Sequence, residues 1–309
     1  MGVMYAESIG VHQDDSKAVR WLQKAAAQGY AAAQQYLSTW CPKAAEQGNA
    51  EVQLYLGAMY ASGSGVPQDD AKAVQWYQKA AEQGLAPAQA LLALMYSQGR
   101  GISKDDAKAA QWWKKAAEQG NADAQCYLGL MYAEGLGIPK DDASAVRWFQ
   151  KAAEQDNFRA QTFLGRMYAD GRGLPKDGAK ALHWFKKAAE QGYASAQFNL
   201  GMMYHGGQGI SKDDTKAVQW FQKAADQGSP HAQSILGVMY MLGRGITRDW
   251  KKGCGLLRAS AEQGKRVVND FYNDYCTAGK AGISKAEEQR LKDYLAALVK
   301  SAEGLSVIR

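Results

Sequence analysis

Apolar residues recur at helical spacing along the chain, and glycine-rich breaks separate the helical stretches. In residues 48–84, Asn49 is a favourable helix N-cap, and apolar positions with helical spacing follow it. A Gly-Ser-Gly sequence at residues 63–65 then breaks the helix, because glycine accepts positive φ angles. Asp69 or Asp70 can cap a second helix. This stretch therefore predicts a helix, a glycine-rich loop and a second helix.

The same pattern recurs every 36 residues along most of the chain. A fixed period of this size indicates an array of helical repeats, in which each repeat packs on its neighbours. We expect the recurring tryptophans to fill the space between helices. The most regular markers are Met-Tyr pairs at residues 59–60, 95–96, 131–132, 167–168, 203–204 and 239–240, and Trp76, Trp112, Trp148, Trp184 and Trp220.

The combined motif resembles the Sel1-like repeat family. Its parts are Ala-x-Ala-Gln-x-x-Leu-Gly-x-Met-Tyr, Gly-x-Gly, Asp, Lys-Ala, Trp and Lys-Ala-Ala-Glu-Gln-Gly, and residues 121–156 contain nearly all of them. The resemblance covers about residues 1–264. It implies an all-α fold, a right-handed α-solenoid of 36-residue helix-loop-helix repeats related to tetratricopeptide arrays, with a concave face built from the first helices.

Three segments depart from the repeat. The first repeat is incomplete, and the second is shortened at residues 29–48. Either two helices are fused there, with Pro42 inside the joint, or a stretch is missing from the numbered chain. We favour the missing stretch, because a deletion that keeps both outer registers would disturb the stacking. Residues 265–309 are predicted to form a degenerate C-terminal capping repeat and a tail.

Composition and charge exclude several functional classes. The net charge of +6 is spread over 309 residues without a Lys/Arg block, so we expect no nucleic-acid partner. No run of about 18 apolar residues predicts a membrane span. The N-terminus does not have the pattern of a signal peptide. The spacing of Cys41, Cys126, Cys254 and Cys276 matches no zinc or redox motif, and we expect small buried side chains rather than disulfides.

No catalytic, metal or cofactor site is predicted from the sequence, so we expect a protein that is not an enzyme. The four histidines share no repeat position. The Asp pairs, such as residues 69–70, stand where helix caps are needed. The Gly-x-Gly loops lack the Gly-Lys-Ser/Thr sequence of a nucleotide-binding loop.

Residues that vary between repeats are the candidates for specific binding. By the resemblance, ligand contacts fall on outward positions of the first helices, starting at residues 51, 54, 58, 61 and 62 and recurring every 36 residues. An alternative is that the apolar members pack between neighbouring helices. The predicted partner-binding residues are Arg159, Arg166, Asp170, Phe198, Met202, His205, His231, Val238, Met241 and Leu242.

These observations favour a scaffold or adaptor that binds a partner protein in its concave groove. The family resemblance also implies a narrower alternative, an immunity protein that neutralises a secreted toxic enzyme from a bacterial secretion system. The partner would then be a secreted effector, and in other family roles it would be an envelope protein. Periplasmic or secreted localisation is suggested by the resemblance alone. An RNA-binding helical array is the weakest alternative, and salt-dependent RNA binding would test it.

Overall fold

The computed structural model describes residues 1–263, 272–276 and 284–303 of the chain. Within these ranges the secondary structure is α-helical, and residues 272–276 also have helical conformation. The helices are α1 (Gly2–Ala6), α2 (Asp15–Ala27), α3 (Ala31–Glu46), α4 (Ala50–Ser62), α5 (Asp70–Glu82), α6 (Ala86–Gln98), α7 (Asp106–Glu118), α8 (Ala122–Glu134), α9 (Asp142–Glu154), α10 (Phe158–Asp170), α11 (Gly178–Glu190), α12 (Ala194–Gly206), α13 (Asp214–Asp226), α14 (Pro230–Leu242), α15 (Trp250–Glu262) and α16 (Lys285–Glu303).

The chain divides into two compact units, the N-terminal unit Met1–Ala152 and the C-terminal unit Ala153–Arg309. In the N-terminal unit, consecutive helices from α1 to α8 pack on one another. In the C-terminal unit, the same sequential packing runs from α10 to α15, and α16 packs against α14. The predicted all-α array of helix-loop-helix repeats is therefore confirmed. No helix in the described part is both long and apolar enough to cross a membrane.

Helix caps form where the sequence predicts them. The Asn49 side chain accepts hydrogen bonds from two backbone N–H groups at the start of α4. The Asp69 carboxylate accepts one from the backbone N–H of Lys72, with an N–O distance of 3.0 Å. Equivalent caps begin the other second helices, at Asp14, Asp105, Asp141, Asp177, Asp213 and Asp249. The first Asp of each pair therefore satisfies backbone groups that the helix leaves open.

The two glycines of each Gly-x-Gly loop serve different purposes. Gly99 ends α6 with a φ of +67°, a left-handed conformation that glycine adopts without a steric penalty. Gly101 lies directly against the backbone of Asp70, and any side chain at this position would overlap it. Gly137, Gly209 and Gly245 contact the start of the preceding second helix in the same way, whereas Gly65 lies near Ser38 and Gln34 of α3.

The buried aromatic of each second helix is the residue after the repeated tryptophan. Phe221 is fully buried, whereas the neighbouring Trp220 is half-buried and has the ammonium of Lys223 4.2 Å from the centre of its ring. A Cβ on Gly201 would lie 2.7 Å from the Phe221 ring, so this glycine provides the space for the ring. The tryptophans pack against this core from its partly exposed side, so the prediction that they fill the space between helices is confirmed only in part, because one residue along a helix rotates the side chain by about 100°. The buried series is Tyr77, Trp113, Phe149, Phe185 and Phe221.

A ladder of glutamine pairs joins the two helices of each repeat and links them to the preceding repeat. The Gln197 side chain is buried, donates from Nε2 to the carbonyl oxygen of Ala189 (3.3 Å) and accepts at Oε1 from Nε2 of Gln227 (2.8 Å). These are the glutamines of the Ala-x-Ala-Gln and Glu-Gln-Gly motifs, and they keep buried polar atoms hydrogen-bonded across the helix interfaces. The same pairs join Gln53 with Gln83, Gln89 with Gln119, Gln161 with Gln191, and Gln233 with Gln263.

The shortened second repeat is one continuous helix, α3, with Pro42 inside it. This geometry is that of the fused-helix alternative. The physical reason is a single apolar stripe that runs through the joint, since Ala33, Leu37, Cys41 and Ala44 are all buried at helical spacing. Helix α3 packs on α2 and on α4, and α2 also contacts α4 directly.

The two cysteines of the N-terminal unit match the prediction of buried thiols, and the two cysteines of the C-terminal unit do not. Cys41 and Cys126 are buried and form no disulfide, as expected. Cys254 and Cys276 form a disulfide with a Cα–Cα distance of 5.6 Å, which corrects the expectation that no disulfide is present. The fold brings together two residues whose sequence spacing fits no motif. Of the predicted capping repeat and tail, residues 265–271, 277–283 and 304–309 lie outside the described residues.

Candidate partner-binding surface

Four of the predicted binding residues line one pocket in the C-terminal unit. The pocket has a volume of about 320 Å³ and lies between α10 and α12. Arg166 and Asp170 come from α10, and Phe198 and Met202 come from α12. In each helix the two residues are four positions apart, so their side chains share one face. The repeat therefore places successive variable positions on a common surface.

The pocket combines an apolar interior with a charged rim. Phe185 and Met203 in its lining are buried, and Phe198 is only 9% exposed. Lys176 and Asp170 are exposed and carry opposite charges. Such a concave surface can hold an apolar side chain while polar groups at the edge orient the segment that carries it.

The sequence criterion missed the loop residues that complete this pocket. Lys176 and Gln208 belong to the loops after α10 and α12, and Asn199 lies on α12 beside Phe198. Lys176 has the same identity as residues at this position in other repeats, such as Lys104, so variability between repeats does not mark it as a binding residue. Gln208 is the variable residue of its Gly-x-Gly loop, and variability between repeats could have identified it.

Two other predicted residues are not available to a partner. Val238 and Met241 on α14 are fully buried, and a Cβ on Gly253 of α15 would lie 2.6 Å from Cγ of Met241. Leu242 is half-buried. This part of the prediction is corrected, because α14 packs against both α15 and α16. Val238 and Met241 therefore follow the alternative prediction, in which the apolar residues pack between neighbouring helices.

His205 is hydrogen-bonded inside the protein and does not face solvent. It is buried, and its Nδ1 lies 2.6 Å from Oδ1 of Asp214, whose Oδ2 accepts from Nε of Arg244 at 2.8 Å. Burial lowers the pKa of His205, and the carboxylate of Asp214 only partly opposes this effect. Burial also disfavours the charged form of Asp214, but Arg244 and His205 outweigh it and lower the pKa of that carboxyl. His205 thus joins the end of α12 to the start of α13.

The remaining two predicted residues lie outside the pocket lining. Arg159 is exposed, with its guanidinium 5.9 Å from the centre of the Phe158 ring. His231 is half-buried, and its ring centre is 5.9 Å from that of Phe198. His231 therefore borders the pocket through Phe198, whereas Arg159 belongs to a separate exposed surface.

A second concave site lies in the N-terminal unit, and Glu51, Leu54 and Ala58 of its lining stand at positions where the resemblance predicts ligand contacts, although they are not among the predicted partner-binding residues. Its volume is about 430 Å³, and it lies among α2, α4 and α6. Its apolar lining includes Leu54 and Leu91, and at its edge Arg20 forms a two-point ion pair with Glu51. The direct contact of α2 with α4, which follows from the shortened repeat, brings these residues together. In the described part of the chain, no group of three or more His, Cys, Asp or Glu side chains is arranged to hold a metal ion.

These features define the chain as a helical-repeat protein of the solenoid class, with variable residues on its first helices. The Sel1 repeat profile matches residues 1–30, 50–85, 86–121, 122–157, 158–193, 194–229 and 230–265. The chain belongs to the Sel1-repeat family. The profile leaves out residues 31–49, where the fused helix α3 lies. Sel1-repeat proteins generally mediate protein–protein interactions and are generally not enzymes.

Solved structures of bacterial Sel1-repeat proteins are similar to the chain. A protective antigen of uropathogenic Escherichia coli strains with this fold is 32% identical, with a TM-score of 0.67 over 97% of the chain and 60% of the antigen. The chain thus spans 60% of that protein's length. A Sel1 repeat protein from Oxalobacter formigenes is 34% identical, with a TM-score of 0.71 over 77% of the chain and 96% of that protein.

Likeness to an immunity protein of Pseudomonas aeruginosa is weaker. It is 22% identical with a TM-score of 0.41, over 84% of either chain, which is too low to carry a functional argument. No match was found among curated proteins.

Proposed function

We propose that this chain is an interaction scaffold that binds a segment of a partner protein at the pocket between α10 and α12. The observation that carries the proposal is the convergence of variable residues from two successive repeats on one concave surface. We propose no catalytic role for the chain. Its partner-binding residues in this proposal are Arg166, Asp170, Phe198 and Met202.

The pocket's chemistry favours a segment with one bulky apolar side chain flanked by polar groups. Phe198 and Met202 supply the apolar contact, and methionine adapts to side chains of different shape. Arg166, Asp170 and Lys176 at the rim can orient the segment by charge, which contributes more to specificity than to affinity. Aromatic residues, Met and Arg are also enriched at protein interfaces.

The proposal is tested with two variants that carry the same substitution at the same repeat position, one variant in each unit. Met202→Glu places a charge in the pocket, and Leu94→Glu places the same charge at the equivalent half-buried position of α6. Both variants are used as bait in extract of the native organism, and bound proteins are identified by mass spectrometry. We expect a dominant partner that Met202→Glu loses by at least about tenfold and Leu94→Glu retains. Retention of the partner by Met202→Glu would refute binding at this pocket.

The identity of the partner separates the narrower hypotheses. Capture of a toxic enzyme, followed by inhibition of its activity by the purified chain, would support the immunity-protein alternative. An envelope protein would support an adaptor. Recovery of RNA instead, with an affinity that falls steeply with salt, would support the RNA-binding alternative and contradict the scaffold proposal.

A further inference from the structure

The pocket among α2, α4 and α6 in the N-terminal unit depends on the shortened repeat. Because α3 is a fused helix, α2 contacts α4 directly, and Val19 of α2 and Leu54 of α4 line the same pocket. Leu85, which precedes α6, and Leu91 within α6 complete its apolar lining. The Sel1 repeat profile leaves out residues 31–49, so this pocket arises from a part of the chain outside the regular repeat.

The pocket offers hydrogen-bonding groups but no net charge. The charged residues of its lining, Arg20 and Glu51, form a two-point ion pair, so each charge is neutralised by the other. Tyr55 and Gln23 also line the pocket, and neither side chain forms a hydrogen bond within the described part of the chain. Burial raises the pKa of Tyr55 to about 12, so its hydroxyl stays protonated at neutral pH and can donate. An uncharged ligand with a polar group therefore fits this lining better than an ion does.

Leu85 lines the pocket from a position where other repeats have a helix cap. Asn49 and Asn121 stand at the same repeat position and accept backbone hydrogen bonds at the starts of α4 and α8. The Leu85 side chain makes no such bond at the start of α6, and Leu is a much less favourable N-cap than Asn. A residue that departs from a local rule of the fold and lines a cavity is typical of a functional position.

The size and surroundings of the pocket favour a small molecule over a protein partner. Its volume of about 430 Å³ lies within the range of small-ligand sites, roughly 300–1,000 Å³. Cores of protein interfaces are enriched in aromatic residues, Met and Arg. Most of the variable first-helix positions of α4 and α6 beyond the pocket instead carry small side chains, which are Ala61, Ser62, Ala90 and Ser97.

We propose that this pocket binds an uncharged, largely apolar small molecule that carries one hydroxyl, carbonyl or amide group. The apolar part of the ligand lies against Leu54, Leu85 and Leu91. Its polar group forms a hydrogen bond with Tyr55 or Gln23. The proposal is independent of partner binding in the C-terminal unit, because the two pockets share no lining residue.

Three naphthalene derivatives that differ in one substituent test the chemistry of the ligand. At neutral pH naphthylmethanol is uncharged, naphthoate is an anion and naphthylmethylamine is a cation. Each is titrated into the full chain, and binding is followed by saturation-transfer difference NMR. We expect naphthylmethanol to bind at least about tenfold more tightly than either ion, because an ion would enter an apolar pocket without a counter-charge. Equal or tighter binding of an ion, or no binding of naphthylmethanol at millimolar concentration, would overturn the proposal.

Two substitutions at the same repeat position locate the site. Leu85→Asn removes part of the apolar lining and supplies a helix cap, so the unfolding midpoint should stay nearly unchanged while naphthylmethanol binds about tenfold more weakly. Tyr193→Asn supplies the same cap at the start of α12, outside the pocket, and should keep the affinity of the parent. Tyr55→Phe should weaken binding by about threefold to tenfold, because the ligand loses a hydrogen bond. This third variant decides the matter if Leu85→Asn does not fold.

The alternative occupants give different results. Binding that Leu85→Asn and Tyr55→Phe both leave unchanged would place naphthylmethanol elsewhere on the protein and overturn the proposal. An equal loss of affinity in Leu85→Asn and Tyr193→Asn would do the same, since Tyr193 does not line the pocket. Capture from extract of a protein that Leu85→Asn loses, without binding of naphthylmethanol, would assign the pocket to a side chain of a partner protein instead.

Discussion

The aromatic residue that carries the core of each repeat can be identified by a pair of neighbouring substitutions. Phe221→Ala removes a fully buried ring, and Trp220→Ala removes a half-buried one. A buried Phe removes about 150 Å² or more from water, which corresponds to about 4 kcal/mol at 25 cal/mol per Å². This agrees with the 3–5 kcal/mol that is typical of Phe→Ala in cores. For Trp220 we expect a smaller loss of about 2–3 kcal/mol, which includes about 0.5–1 kcal/mol from the Lys223 contact, because the ring is partly exposed and its removal leaves no closed cavity.

The assay is urea denaturation followed by far-ultraviolet circular dichroism, which does not depend on the fluorescence of the tryptophan being removed. Repeat arrays can unfold in parts, so the m-value of each variant must match that of the parent before free energies are compared. The expected order is a larger loss of unfolding free energy for Phe221→Ala than for Trp220→Ala. An equal or reversed order would refute the assignment of the core to the residue after the tryptophan.

Three further predictions follow from the packing and the electrostatics. Gly201→Ala should lower the unfolding free energy by about 1–3 kcal/mol in the same assay, because its Cβ would lie 2.7 Å from the Phe221 ring; an unchanged midpoint would contradict the close approach. Gln197→Leu should lower it by about 1–3 kcal/mol, because the buried Gln197 side chain loses two hydrogen bonds, each worth about 0.5–1.5 kcal/mol; a neutral result would contradict the glutamine ladder. Stability should fall as the pH drops below about 6.5, since burial lowers the pKa of His205 and the unfolded state then binds the proton more readily. His205→Ala should flatten this part of a curve of stability against pH, and an unchanged slope would contradict the role of His205, because the lowered pKa of the Asp214 carboxyl acts at more acidic pH.

Much of the local structure could be predicted from the residues themselves. Asp69 caps the helix that begins one residue later, and Gly99 ends a helix in the left-handed conformation. Both roles depend on contacts within three or four positions of the chain, so they are visible in the sequence. The 36-residue period then determines the order of helices and the sequential packing within each unit, because each repeat can bury its apolar face only against its neighbours.

Contacts between distant segments were decided only by the tertiary structure. Trp220 and Phe221 are adjacent and similar in hydrophobicity, and the rotation of the helix against Gly201 determines which ring is buried. Val238 occupies the repeat position of Met202, yet it is buried, and it lies in a helix against which both α15 and α16 pack. The disulfide between Cys254 and Cys276 likewise depends on residues 272–276 meeting α15, which the spacing of the cysteines does not predict. The sequence by itself determined the repeat and its helix caps. Which residues remain accessible depended on contacts between segments that are distant in the chain, and the 36-residue period does not encode those contacts.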